Sequence, residues 1–190
     1  ITVNVTDIDD VAPVITSSAT FTAAENQTAI GTVTATDVDS SSTSFSVSGE
    51  GLSMSTSGVL TFSTAPDFET QSSYSGTVTA TDGINSSTQS ITVTVTNVNE
   101  APVFTSGTLY DADENQSAIG TVTATDVDSS SLTYSVSGSE LSMTTEGVLT
   151  FVAAPDYETK SSYTATVTVT DGGLSASQPI TVTINNLNDN

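Results

Sequence analysis

One internal repeat constrains this chain more than any other feature. Glu25 recurs 89 residues on as Glu114, and at the same offset Asp37 and Asp39 recur as Asp126 and Asp128, Asp67 and Glu69 as Asp156 and Glu158, and Asp82 as Asp171. A period of that size is no short solenoid repeat; each copy is long enough to bury a modest core of its own, near the low end of independent domains. The 190 residues therefore read as two bodies, a first repeat over residues 14–101 and a second over 102–190 that ends in a terminal linker. Residues 1–13 read as a strand remnant and linker from a preceding repeat, because residues 1–6 alternate as residues 91–96 do. The chain is thus expected to be a piece of a longer array whose parent is membrane-associated.

Within each copy the hydrophobic pattern has a period of two. Ile91, Val93 and Val95 alternate with Thr92, Thr94 and Thr96, and Tyr74, Gly76, Val78 and Ala80 share one side of the preceding run. Such alternation places apolar side chains on one sheet face and Thr hydroxyls on the other. Strands are expected around residues 14–24, 29–36, 45–47, 52–54, 59–62, 74–81 and 89–96, separated by Ser, Gly, Asn and Pro clusters. No stretch has helical periodicity. The fold class is all-β: two tandem Greek-key β-sandwiches of seven strands each, joined end to end. The abundance of Ser and Thr does not signal disorder, since β-branched residues in strict alternation suit a half-buried sheet.

Charge narrows the function. There are 22 acidic residues against one basic residue and no His, for a formal charge of -21. Such a surface repels nucleic acid and anionic lipid and attracts cations. Carboxylates scattered singly would do no more than keep a protein soluble. No Cys is present, so disulfides and thiolate metal sites are excluded. No apolar run is long enough for this segment to enter a bilayer.

The acids fall at strand ends. Glu25 follows the first strand region and Asp67 and Glu69 precede the penultimate strand, whereas Asp37, Asp39 and Asp82 follow the second and penultimate strands. Antiparallel geometry sorts these into two poles of each sandwich. Between the copies runs Asn97-Val98-Asn99-Glu100-Ala101-Pro102, a polar connector whose Pro stops strand pairing. The pole of the first unit at this joint would offer Glu25, Asp67 and Glu69, that of the second Asp126, Asp128 and Asp171, and the connector Glu100. Two like charges about 5 Å apart repel by roughly 0.8 kcal/mol even in water, and no Lys or Arg lies in the set. A divalent cation is the simplest remedy. Calcium suits it, taking 6 to 8 oxygens in flexible geometry, with amide oxygens from Asn97 and Asn99. Without His or Cys, zinc and copper are poor candidates, and magnesium tolerates irregular cages badly. The segment Asp37-Val38-Asp39 is not an EF-hand, since Ser42 and Ser48 stand where Gly and Glu are required. Related connectors recur at both ends, Asp7-Ile8-Asp9-Asp10-Val11-Ala12-Pro13 and Asn186-Leu187-Asn188-Asp189-Asn190. Asp7, Asp9 and Asp10 join Asp37, Asp39 and Asp82 as candidate ligands, and Asn186, Asn188 and Asp189 join Glu114, Asp156 and Glu158.

Together these motifs resemble the cadherin repeat over nearly the whole chain. Cadherin repeats carry a Glu after the first strand, an Asp-x-Glu, an Asp-x-Asp, a later single Asp and a linker of the form Asp-x-Asn-Asp-Asn-Ala-Pro. Glu25, Asp67-Phe68-Glu69, Asp37-Val38-Asp39, Asp82 and the Asp7 to Pro13 segment look like these, and Glu114, Asp156-Tyr157-Glu158, Asp126-Val127-Asp128 and Asp171 repeat them. The resemblance implies sandwiches strung in series with up to three calcium ions stiffening each joint. The central connector departs from the pattern, with Asn97 for the leading Asp and one residue fewer. Strand exchange through an N-terminal Trp is unavailable, because the chain has no Trp. The Thr- and Ser-rich, Cys-free texture is similar to that of a large bacterial surface or secreted repeat adhesin.

The function expected is a calcium-rigidified extracellular or cell-surface segment in cell adhesion, by homophilic contact or surface attachment. Its partners would be calcium, neighbouring repeats of the same chain, and another copy of itself or a surface polysaccharide. The alternative is a carbohydrate-binding module of a polysaccharide-interacting protein, although Phe62, Phe68, Tyr74, Phe151, Tyr157 and Tyr163 are expected in the core. An enzyme is not expected: Asp67 and Glu69 recur at a metal pole with no nucleophile, His or cofactor loop beside them.

Overall fold

The computed structural model describes residues 3–4, 8–40 and 42–188. The chain forms two units, Ile1–Val98 and Asn99–Asn190. Every regular element among the described residues is a strand.

In the first unit these are β1 (Val14–Ile15), β2 (Thr20–Ala24), β3 (Ala29–Thr32), β4 (Ala35–Thr36), β5 (Ser44–Ser48), β6 (Leu52–Met54), β7 (Val59–Phe62), β8 (Ser73–Thr81) and β9 (Ser86–Thr96). One sheet has the order β2-β9-β8-β5 and the other β3-β7-β6, while β1 pairs with β4. Nine elements stand where seven strands were expected, because two of the expected strands are broken. The first changes partner after Ile15: β1 runs antiparallel to β4, but β2 joins the other sheet. The second is interrupted at Val33-Thr34, where the Val33 amide turns to the Gly58 carbonyl.

Within β3 the pairing to β7 shifts between Ala29 and Gly31. This bulge resets the alternation and lets both Ile30 and Val33 reach the core side. Gly58, at φ +88°, must be Gly, since a Cβ there would collide with the Val33 carbonyl.

The alternation read from the sequence is the burial pattern of the sheets. Leu60, Val78, Ala80 and Val93 have no exposed surface, and Val33, Phe62, Ile91 and Val95 are nearly as buried. Burying each Val, Leu or Ile side chain contributes about 1.5–3 kcal/mol. Phe62 meets Tyr74 edge to face, with ring centroids 5.0 Å apart.

The second unit repeats this plan as β10 (Val103–Phe104), β11 (Leu109–Asp113), β12 (Ala118–Thr121), β13 (Ala124–Thr125), β14 (Thr133–Val136), β15 (Leu141–Met143), β16 (Val148–Phe151), β17 (Ser162–Thr170) and β18 (Ser175–Asn185). Its sheets are β11-β18-β17-β14 and β12-β16-β15, with β10 on β13. Val122, Leu149, Val167, Val169 and Val182 are fully buried. Pro179 is tolerated inside β18 because β11 pairs only with residues 181–185, leaving an open edge beside the proline.

One pairing was not foreseen. β2 runs parallel to β9, with Ala24 opposite Thr96, and β11 runs parallel to β18, with Asp113 opposite Asn185. Parallel strands end at the same side of a sheet, so the residue after β2, Glu25, lies beside the residues after β9. This pairing builds one acidic pole of each unit.

Candidate metal centres

Glu25 is buried, with 3 % of its surface exposed. Its two carboxylate oxygens are both engaged: Oε2 accepts the Phe68 amide at 2.8 Å and Oε1 the Val98 amide at 2.8 Å. Asn26 follows at φ +61°, a left-handed position that Asn tolerates, and its amide donates to the Pro66 carbonyl. Three segments are thereby tied together: the end of β2, the loop before β8, and the chain leaving β9. The antiparallel pairing of β8 with β9 brings that loop to this side, with Ser73 opposite Thr94. Carboxylate oxygens of Glu25, Asp67 and Glu69 lie within 4.8 Å of one another. The Asn97 amide donates to Glu69 at 3.5 Å.

The second unit reproduces the arrangement residue for residue. Glu114, 1 % exposed, accepts the Tyr157 amide at 2.9 Å and the Leu187 amide at 2.6 Å. Glu114, Asp156 and Glu158 form the same triplet within 4.8 Å. Asn186 donates to Glu158 at 2.9 Å. Asn188 is exposed. The Asp156 carboxyl lies below the usual carboxylate range, held there by the Thr159 hydroxyl and by backbone amides.

The other pole of the first unit gathers Asp9, Asp10, Asp37, Asp39 and Asp82. Asp37 Oδ1 caps its own turn, accepting the Asp39 amide at 3.0 Å and the Ser40 amide at 2.9 Å. Asp39 Oδ2 accepts the Asp10 and Val11 amides at 3.0 and 3.2 Å, fixing the incoming chain. Asp82 Oδ1 accepts the Ile84 and Asn85 amides at 2.6 and 2.7 Å. In each of these three the second oxygen (Asp37 Oδ2, Asp39 Oδ1, Asp82 Oδ2) is buried and accepts no hydrogen bond. Partial burial, followed by the charges of Asp82, Asp39 and Asp37, raises the Asp9 carboxyl above its ordinary value, against a lowering hydrogen bond from Asn85.

In the second unit the corresponding pole holds Asn99, Glu100, Asp126, Asp128 and Asp171. Asp126 Oδ1 accepts the Asp128 and Ser129 amides, each at 2.9 Å, while its Oδ2 is again buried without a donor. Asp128 accepts the Glu100 amide at 2.7 Å. Asn99 donates to Asp171 Oδ2 at 2.7 Å, and this bond, with the Leu174 and Gly173 amides, holds the Asp171 carboxyl below its usual range.

A carboxylate oxygen removed from water with no donor is costly. Four such oxygens, on Asp37, Asp39, Asp82 and Asp126, lie in donor sets made of oxygen alone, and those of Asp37 and Asp126 occupy equivalent turns. The residues therefore fit a hard cation of the calcium type, which takes carboxylate, amide and backbone oxygens together. Asp7 and Asp189, candidates from the sequence, lie outside the described residues, as does most of the strand expected over residues 1–6.

Sequence reasoning missed Asn85, whose amide reaches Asp9 at 3.5 Å and its carbonyl at 3.4 Å. It also missed the αL residues Asn26 and Asn115. The Glu-Asn pairs were visible as Glu25-Asn26 and Glu114-Asn115, and Asn after a strand is a turn signal. The aromatic expectation fails at one position. Tyr157 is 36 % exposed, whereas Phe68, its counterpart, packs against the core.

The family model for the bacterial Ig domain matches residues 99–184. Among solved structures, human protocadherin-24 EC1-2 is 17% identical, covering 94% of this chain and 100% of that chain with a TM-score of 0.71. Drosophila N-cadherin EC1-4 is 24% identical over 92% of this chain, with a TM-score of 0.65, and the chain spans 50% of its length. Mouse cadherin-23 EC22-24 is 20% identical over 95% of this chain and 68% of that chain, with a TM-score of 0.64.

The fold is that of tandem cadherin repeats. No curated protein sequence matches the chain significantly. Among the described residues no helix is long and apolar enough to cross a membrane.

Proposed function

We propose that this chain is a calcium-binding, calcium-rigidified extracellular segment of an adhesive surface protein. The observation that carries the reading is the set of buried, donorless carboxylate oxygens on Asp37, Asp39, Asp82 and Asp126, each beside further acids. Calcium would be held by Asp9, Asp10, Asp37, Asp39 and Asp82 at one pole of the first unit, and by Glu25, Asp67, Glu69 and Asn97 at the other. In the second unit Asn99, Glu100, Asp126, Asp128 and Asp171 would serve one pole, and Glu114, Asp156, Glu158, Asn186, Asn188 and Asp189 the other. The ion neutralises like charges that otherwise repel.

The link to mechanical function runs through the chain itself. Glu25 grips the Val98 amide in the first unit, and Asp128 grips the Glu100 amide in the second. The carboxylates that would bind calcium are thus those that fix the connector over residues 97–100. Ion binding would stiffen the connector by holding these carboxylates in place, and would add folded-state stability by linkage. Modules of this kind outside the cell work with weak sites, on the order of 10⁻⁴ to 10⁻³ M. The partners of such a segment are neighbouring repeats of its own chain and a second copy of itself.

The test is thermal unfolding with small-angle scattering, in millimolar calcium and in chelator. The proposal requires a higher Tm and a narrower distribution of distances with calcium; identical melting and scattering in both conditions would remove it.

A further inference from the structure

The two units are near copies, so the positions where they differ chemically mark what one does and the other does not. Five such differences fall on one patch. Ser139 and Glu140 stand where the first unit has Glu50 and Gly51, Val152 and Ala153 where it has Ser63 and Thr64, and Lys160 where it has Gln71. In the first unit the Tyr74 ring lies so close over Gly51 that a Cβ there would meet the ring at 2.6 Å. In the second unit a Glu occupies that position, and the equivalent ring, Tyr163, is held by Lys160, whose Nζ lies 4.4 Å from the ring centroid. Lys160 also forms a bidentate pair with Glu140, at 2.6 and 2.7 Å. A cleft of about 390 Å³ lies here, lined among others by Glu140, Val152, Ala153, Pro155, Thr159 and Tyr163. That volume is within the range of small-ligand sites.

We infer that this cleft of the second unit binds a neutral saccharide. Three observations select that class. The chain carries a charge of -21, and its single basic side chain is already neutralised by Glu140, so an anionic ligand meets only repulsion. The acids at the cleft are internally satisfied, Glu140 by Lys160 and Asp156 by the Thr159 hydroxyl at 2.8 Å and by backbone amides. Glu140 is thus closed to an amine, and Asp156, though still charged, already accepts three hydrogen bonds. A carboxylate offers about four lone-pair sites, however, so spare acceptor capacity is left for neutral hydroxyl donors. Beside these acceptors lies an apolar ledge, with Val152 64 % exposed. A sugar ring has both faces the cleft needs, hydroxyls at its rim and C–H groups beneath.

Asp156 is shared with the proposed calcium triplet, whereas Glu140, Val152, Ala153 and Tyr163 lie outside it, so the inference is tested with and without the ion. It is tested on the full chain, ¹⁵N-labelled, by titrating cellohexaose, maltohexaose and mannohexaose while following backbone amides, in calcium and in chelator. At least one probe should produce saturable shifts at residues 139–140, 152–154 and 163 and none at residues 50–51, 63–65 and 74, in both conditions. The double variant Val152→Ser with Ala153→Thr installs the residues the first unit already uses at these positions, so folding is preserved. Its binding should weaken about tenfold or more, the scale of removing apolar contacts from a pocket. Shifts that survive undiminished in that variant, shifts confined to the acidic poles, or no response to any of the three probes would each overturn the assignment. So would a cleft that responds to putrescine, included as a cationic control, and to none of the sugars.

Discussion

Replacing Glu25 probes the joint between fold and site, because this side chain is buried and holds two segments distant along the chain. In Glu25→Ala the amides of Phe68 and Val98 lose acceptors that lie at 2.8 Å. Each unpaired donor costs about 1–3 kcal/mol, so the variant should lose about 2–6 kcal/mol. That is a large share of the 5–15 kcal/mol of a typical domain. Glu25→Gln keeps one acceptor oxygen and sets an NH₂ group against the other amide, so it should lose about half as much. Urea unfolding in chelator, with hydrogen exchange resolved at the two amides, measures both effects. The order should be wild type, then Gln, then Ala, with protection of Phe68 and Val98 falling in step. If both variants unfold within 0.5 kcal/mol of wild type, the carboxylate does not act as the clamp described, since that is the scatter of neutral surface substitutions.

Asp82→Asn keeps the turn-capping oxygen but removes the charge that, after burial, contributes most to raising the Asp9 carboxyl; the first unit should melt higher in chelator and bind calcium more weakly. For a wild-type site held at 100 times its Kd, linkage supplies about 2.7 kcal/mol, and a tenfold weaker site about 1.4 kcal/mol, so calorimetry in the two media should show opposite signs of effect. In calcium-free solution, ¹³C carboxyl titrations should place Asp9 above the ordinary aspartate value of 3.8 and Asp171 below it. The signs follow: Asp9 disfavours folding at neutral pH and is relieved as pH falls through its raised folded value, whereas Asp171 stabilises above 3.8 and that contribution is lost as pH falls through its lowered folded value. Gly58→Ala and Gly147→Ala should each cost several kcal/mol by denaturant unfolding, since both residues lie at positive φ with a carbonyl, Val33 or Val122, in the place a Cβ would take.

Much of this was legible in the sequence because the signals are local and periodic. Val78, Ala80, Ile91, Val93 and Val95 announce one buried face by alternation, and that is the face the sheet buries. Two acidic poles were expected from antiparallel strand order, although the pole that holds Glu25 is built by the parallel pairing of β2 with β9. What could not be read depends on partners distant along the chain. Nothing in residues 14–24 says that β1 and β2 join different sheets, and that change produces the parallel pairing which sets Glu25 beside Val98. The bulge at Ile30 is likewise a property of β7 across the sheet, although Gly31 hinted at it. Tyr157 was misplaced although its amide bonds Glu114 as that of the inward-packed Phe68 bonds Glu25, so the loop's backbone does not decide the ring's side. The donorless oxygens of Asp37, Asp39, Asp82 and Asp126 are a matter of three-dimensional burial, invisible in an Asp-x-Asp pattern.

The central claim is that the acidic poles are calcium sites, and calcium titration of the chelated full chain, followed amide by amide, addresses it most directly. Calcium sites there require saturable shifts at residues 9–11, 37–40, 82–85 and 126–129 that magnesium at the same concentration does not reproduce. Uniform small shifts across all acidic residues, unsaturated and equal for the two metals, would mean that the charge is only a diffuse counterion field and would contradict it.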